Sequence, residues 1–251
     1  MVLFWTPWII AWTALAVITF VVLLFRVAPY GRHTTKTAGP TLSHRLGWVV
    51  METVSPLMLV SVAWMATRGD LFELSQGHLV LFGLWVGHYV YRAWVYPYLA
   101  RWRNRRMPVL IMLSAIVFNA INGSINGFEL ALRPPVEFGT ASFAIGAVLF
   151  VGGLALNIHS DAILRSLRKP GETGYRIPEG GAFQWVSCPN YLGELIEWVG
   201  FAVMAGTPAA FSFAIWTAAN LIPRAISHHR WYKNQFAMYP RQRKAVIPFT
   251  L

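Results

Sequence analysis

Seven long, continuously apolar stretches dominate this chain and set the terms for any fold it can adopt: Leu3–Phe25, Leu46–Thr67, His78–Leu99, Met107–Ile125, Phe138–Ser160, Tyr191–Gly206 and Pro208–Pro223. A helix needs roughly 20 mainly apolar residues to cross a bilayer. The first five stretches meet that length, and the last two are short, separated only by Gly206-Thr207-Pro208. The stretches are apolar throughout and do not alternate, which selects helices over a transmembrane barrel. Residues are 56% hydrophobic and only 12% charged, against about 25% charged in an ordinary soluble domain. An ordinary soluble domain is thereby excluded.

The charge balance then reports topology. Lys and Arg number 21 against 10 Asp and Glu, a surplus that would suit a nucleic-acid partner if it formed one patch. It does not. With seven spans and the N-terminus outside, eighteen of these basic residues fall on inside segments. Only Arg68 and Arg133 fall outside, and Arg92 lies within the third span. That asymmetry is the positive-inside pattern. The first span has no basic residue before it and is expected to be retained, not cleaved. The single cysteine, Cys188, rules out an internal disulfide. The expected fold is an all-α membrane protein of seven transmembrane helices, N-terminus outside and C-terminus cytoplasmic. It is expected to be one membrane-embedded domain over residues 1–251, without repeats or a soluble domain.

Ionisable groups inside a bilayer are expensive and are functional candidates for that reason. Glu52 lies in the second stretch, His88, Tyr89, Tyr91 and Arg92 in the third, and Asn119, Asn122 and Asn126 in the fourth. A structural alternative has Glu52 pairing with Arg92 or a backbone group to lock two helices. A second set lies toward the cytoplasmic ends of the last helices: Asn157, Asp161, Arg165 and Arg168; Asn190, Glu194 and Glu197; and Arg224, His228 and Tyr232. Spacings of three and four place each group on one helical face. Together they suit a polar ligand with anions, hydroxyls and amides, such as a dinucleotide; a purely structural polar network is the alternative. The 169–181 segment, rich in Gly and Pro, suits a backbone approaching such a ligand. Neither nucleotide-binding glycine motif is present, so a dinucleotide would have to lie among helices. No HExxH motif or cysteine cluster is present, and no metal is expected.

At these residues the chain resembles the steroid 5α-reductase family. The resemblance runs from about Pro29 to the C-terminus. It is carried by Pro29-Tyr30-Gly31-Arg32-His33-Thr34, Asn157-Ile158-His159-Ser160-Asp161, Tyr175-Arg176-Ile177-Pro178, Cys188-Pro189-Asn190-Tyr191-Leu192-Gly193-Glu194, His228-His229-Arg230-Trp231-Tyr232 and Arg243-Lys244-Ala245-Val246-Ile247-Pro248-Phe249. It implies seven membrane helices, NADPH as hydride donor and 3-oxo-Δ4 steroids as substrates. It places the catalytic carboxylate on Glu52 and the catalytic tyrosine on Tyr89. Cofactor contacts fall on Asn157, Asp161, Arg168, Tyr175, Asn190, Glu194, Arg224, His228 and Tyr232, all in the segment 157–251, which contributes most of the cofactor site. Arg103 and Arg105 are implied phosphate contacts, and Arg32 is a further implied cofactor contact. The chain departs from mammalian members at Met51, where they carry Gln. It departs again near Met112, where they carry an Arg facing the substrate, so the natural substrate need not be a hormone.

The implied reaction reduces the Δ4 double bond, with hydride added at C5 while Glu52 and Tyr89 polarise the 3-oxo group. Rival readings are an enoyl-thioester reductase of lipid metabolism, a membrane methyltransferase, or a non-enzymatic lipid-binding or transport protein. Expected partners are an apolar enone and the lipid bilayer, with no nucleic acid, no metal and no obligate protein partner. The membrane is expected to be a bacterial inner membrane, or the endoplasmic reticulum in a eukaryote, with the cofactor site toward the cytoplasm.

Overall fold

In the computed structural model the described residues are 2–26, 39–71, 74–100, 102, 105–134, 136–167 and 174–251, with side chains described from residue 7 onward. Arg32, Arg103 and Arg168, among the expected phosphate and cofactor contacts, lie outside them. The helices are α1 (Val2–Phe25), α2 (His44–Ala66), α3 (Gln76–Tyr89), α4 (Tyr96–Leu99), α5 (Val109–Leu132), α6 (Ala141–Ser166), α7 (Pro189–Ala205) and α8 (Pro208–Gln235). Among the described residues five helices are long and apolar enough to cross a membrane: α1 from Pro7, α2, α5, α6 and α8. The chain is a multi-pass membrane protein of helical architecture. The expected third stretch is α3 continued through a π-helical segment, Val90–Val95, into α4. The expected sixth is α7, a helix of 17 residues.

The purely helical expectation needs one correction. Thr41–Ser43 (β1) pairs antiparallel with Arg106–Pro108 (β2), Leu42 opposite Met107. Arg106 donates from Nη2 to the Thr41 carbonyl at 2.6 Å and from Nε to Thr41 Oγ1 at 3.2 Å. The expected fourth span began at Met107; its first two residues are strand instead, and the helix starts at Val109. Helices α6 and α8 also run past their expected ends at Ser160 and Pro223, to Ser166 and Gln235.

The described residues fall into two compact units, one of Met1–Ala28, Ile145–Val203 and Phe211–Leu251, the other of Pro29–Ala144 and Met204–Ala210. In the second unit α2 packs along α5. A side chain at Gly123 would meet the Ser55 carbonyl at 2.5 Å, and one at Gly127 would collide with the Leu59 carbonyl. Without a hydrophobic force between helices in lipid, such small-residue crossings supply the contact. The other unit repeats the device, where a side chain at Gly193 would meet the Asn157 backbone nitrogen at 2.5 Å and one at Gly200 the Phe150 nitrogen at 2.5 Å. The Trp12 ring of α1 meets the Trp216 ring of α8 at a tilt, centroids 4.7 Å apart, and Thr13 donates to Ser212 at 2.7 Å.

The short break after α7 is built from its three residues. Gly206 takes φ 61°, a conformation that costs other residues. Thr207 Oγ1 accepts from Ala210 N at 3.1 Å, and Pro208 opens α8. Glu129 caps the same end by accepting from Ala209 N at 2.9 Å.

Gly127→Ala should destabilise the protein by about 1–3 kcal/mol, because the added methyl has a backbone carbonyl in its place. Gly83→Ala, which meets nothing within 4 Å, should leave the melting temperature in detergent unchanged. Equal melting of the two variants would show that α2 and α5 do not depend on this approach.

Candidate active site

Every fourth residue of α2 from Met51 onward, Met51, Ser55, Leu59 and Ala63, is buried, and the Gly123 and Gly127 contacts turn that stripe to α5. Glu52 sits beside it and is half-buried. Asn119 of α5 donates to the Met51 carbonyl at 2.7 Å. Trp85 of α3, fully buried, donates its indole N–H to Ser55 Oγ at 3.1 Å. Tyr89, 4% exposed, stacks on Trp85 with centroids 5.9 Å apart and meets the His88 ring edge-on at 5.1 Å. The Ser55–Trp85 bond therefore ties the α2 turn that carries Glu52 to the α3 turn that leads to Tyr89. Asn122 and Asn126 bond back to the Phe118 and Asn122 carbonyls at 2.9 and 3.0 Å.

The π segment starts directly after Tyr89. Such single-turn insertions often re-aim a side chain at functional sites. Here it presents Arg92 over the rings of Trp48 at 4.9 Å and Tyr96 at 5.0 Å. Trp48 in turn donates to the Arg92 carbonyl at 2.9 Å. Arg92 is thus fixed in an aromatic cluster that also holds His44 and Trp102.

In the other unit, the stripes expected on α6, α7 and α8 come together. Asn157 Nδ2 donates to the Asn190 carbonyl at 2.9 Å, and Asn190 Nδ2 donates to Asp161 Oδ1 at 3.1 Å. Asn157 and Asp161 are each 2% exposed. Arg224 Nε donates to Tyr191 Oη at 3.0 Å, and the same hydroxyl meets His228 Nε2 at 3.3 Å. Tyr175 meets the ring of Trp231 edge-on at 4.7 Å, while Tyr232 stacks on Tyr239 at 5.3 Å. Glu194 lies one turn beyond Asn190 on α7.

Arg105 belongs to the other unit, where its carbonyl accepts from His44 N at 3.0 Å and opens α2.

Reading the stripes alone passed over several positioning residues. Tyr191 joins α7 to α8, yet it pairs with residues more than thirty positions away and adds nothing to a local period. Ser187 Oγ lies 2.6 Å from both His229 Nδ1 and Tyr239 Oη, and 3.1 Å from the Lys244 carbonyl. Arg243 donates to the Pro178 carbonyl at 2.9 Å and lies over the Tyr239 ring. These bonds lace the C-terminal segment to the start of α7. Burial raises the Tyr239 phenol above its ordinary range, opposed by its bonds to Ser187 and Arg243.

A nucleotide fits these residues on one observation: Ser160 Oγ and Arg165 Nη1 are buried, and neither has a hydrogen-bond partner among the described residues. Buried donors ordinarily have one. Both atoms stand on α6 with Asn157 and Asp161, where hydroxyl and phosphate oxygens could satisfy them.

The family model described as 3-oxo-5-alpha-steroid 4-dehydrogenase matches residues 105–251. The chain is 39% identical to "3-oxo-5-alpha-steroid 4-dehydrogenase 2" of Rattus norvegicus over 92% of its own length and 91% of the relative's. It is 40% identical to the human protein of the same name over 88% and 87%. With "Steroid 5-alpha-reductase DET2" of Arabidopsis thaliana it shares 40% identity over 92% and 90%.

Asn190→Ala takes the amide donor from a buried carboxylate. The loss should cost about 1–3 kcal/mol, seen as a lowered detergent-solution melting temperature, while Glu179→Ala on an exposed turn should change nothing. A wild-type melting curve for Asn190→Ala would remove the bond from the account of how α6 and α7 are held.

Proposed function

The chain belongs to the 3-oxo-5-alpha-steroid 4-dehydrogenase family of oxidoreductases, and we propose that it reduces the Δ4 double bond of 3-oxo-Δ4 steroids with NADPH. The observation that carries this reading is the layer in which the Ser55–Trp85 bond links the turn of Glu52 to the stack that buries Tyr89. It puts a carboxyl and a phenol among apolar helices, as a ketone-gripping pair requires. The names of the relatives describe the same reaction class.

NADPH, when bound, supplies the hydride that adds to C5. Addition there builds negative charge on the 3-oxo oxygen, and donors aimed at that oxygen lower the barrier. Tyr89 donates its phenolic hydrogen. Glu52 acts as a neutral acid and donates a second hydrogen bond, a role open to a carboxyl in an apolar setting. A proton delivered to C4 completes the reduction. By the resemblance, Asn157, Asp161, Tyr175, Asn190, Glu194, Arg224, His228 and Tyr232 would hold the nucleotide, and Arg32, Arg103, Arg105 and Arg168 are carried over from it as further contacts. The α3–π–α4 stretch and α7 complete seven spans, with the N-terminus outside and the basic segments, and hence the cofactor site, on the cytoplasmic side. The single domain of residues 1–251 is then built within the membrane.

The test follows NADPH absorbance with detergent-purified protein and progesterone, testosterone or a long-chain enoyl-CoA. Oxidation with a steroid is expected. Glu52→Gln and Tyr89→Phe should each lower kcat about 10²–10³-fold, with NADPH affinity nearly unchanged. Full turnover in both variants would defeat the assignment, and oxidation with enoyl-CoA alone would favour the thioester-reductase reading.

A further inference from the structure

A cavity of about 310 Å³ opens in the second unit, at an end of the helices remote in sequence from the Glu52 turn. It is lined by Ala66, Thr67, Leu74, Ser75, His78, Ala131 and Arg133. These residues come from the end of α2, the approach to α3 with its first turn, and the end of α5. No acidic side chain is among the described residues that line it.

His78 is 2% exposed, and its Nε2 has no hydrogen-bond partner among the described residues. Its other nitrogen, Nδ1, lies 3.1 Å from Ser75 Oγ. That oxygen already accepts from His78 N at 3.4 Å and from Val136 N at 3.3 Å. With its lone pairs so engaged, the serine hydroxyl gives its hydrogen to Nδ1. The neutral ring then carries its own hydrogen on Nε2. A protonated ring also presents N–H there. In either form His78, which lines the cavity, keeps a buried donor without an acceptor among the described residues, and Arg133, which also lines it, carries a guanidinium. The first turn of α3 adds the positive end of a 14-residue helix.

We propose that this cavity binds a phosphate oxyanion, held by Arg133 and His78 Nε2, as in a phospholipid headgroup or free phosphate. Guanidinium and phosphate match in bidentate geometry. The size favours the headgroup, since about 310 Å³ is near the lower limit for organic ligands and ample for a bare phosphate. Ala66, Leu74 and Ala131 give the apolar lining a glycerol backbone would meet. Two of the helices that end here, α2 and α5, are long and apolar enough to span a membrane, which puts the opening at headgroup level. The site is independent of the proposed reductase chemistry.

Isothermal titration of delipidated protein in a maltoside detergent tests the proposal with three probes: short-chain phosphatidylglycerol, a glucosyl diacylglycerol of equal chain length, and inorganic phosphate. Saturable one-to-one binding of phosphatidylglycerol is expected, weakened about tenfold or more in Arg133→Gln. Ala131→Leu, which fills the space and leaves the charge, should weaken it too. The glycolipid should not bind. Arg133-dependent binding of inorganic phosphate alone would uphold the oxyanion site and make the free anion its ligand. Equal binding of both lipids, or phosphate and phospholipid binding unaffected by either variant, would overturn the proposal. Unchanged circular dichroism of both variants establishes that they fold.

Discussion

A polar group inside an apolar helix bundle has no water to turn to and must find its partner within the bundle. Several of the described polar residues meet that demand by reaching the backbone or side chains of the next helix. Asn119 reaches the Met51 carbonyl, Trp85 reaches Ser55, and Asn157 reaches the Asn190 carbonyl. An asparagine side chain is short, so such a bond requires two helices in near backbone contact. Glycine provides that contact. Gly123 lies against Ser55 beside the Asn119 bond, and Gly193 lies against Asn157 itself. The glycines and the asparagines are thus two halves of one device, the first permitting the approach and the second using it.

The residues proposed to carry chemistry sit at the margins of these locked crossings. Glu52 adjoins the buried stripe of α2 without belonging to it. Tyr89 rests on Trp85, which is already held by Ser55, so the ring is placed before any ligand arrives. Directly after it the π segment shifts the helical phase, and Arg92 goes to Trp48 and Tyr96. Preorganisation of this kind matters for catalysis, because donors that need not reorganise stabilise charge more effectively.

Much of this was legible in the chain. Apolar length alone locates α1, α2, α5 and α6, since a continuous run has only one way to satisfy its backbone in lipid. The spacings of Asn157 with Asp161 and of Arg224 with His228 mark faces that do meet other polar groups, because helical period is local. Features set by contacts between distant segments left no such mark. The β1–β2 pair joins residues more than sixty positions apart and replaces the expected start of a helix at Met107. Ser187 draws its partners from three places in the last quarter of the chain. Tyr191 was visible as part of a string but not as a bridge. The π segment lies inside one apolar stretch, His78–Leu99, with no proline or glycine within Val90–Val95 to mark it.

The lacing of the C-terminal segment explains how helices alone could serve a nucleotide. A nucleotide-binding sheet supplies rigid loops whose backbone N–H groups meet phosphate. This chain has no such loop motif, so side chains would have to make those contacts, and each side chain loses rotamer freedom in doing so. That loss is smaller where the side chains are already ordered. Asp161 is met by Asn190, and Tyr191 is held by Arg224 and His228. One residue on, His229 is bound to Ser187, which Tyr239 and the Lys244 carbonyl fix in turn. The bonds that join Pro178, Ser187, His229, Tyr239, Arg243 and Lys244 therefore brace α8 from outside the helix. Under the proposed reading, the polar cluster at Ser187 would hold these buried and half-buried stripes ready for such a ligand.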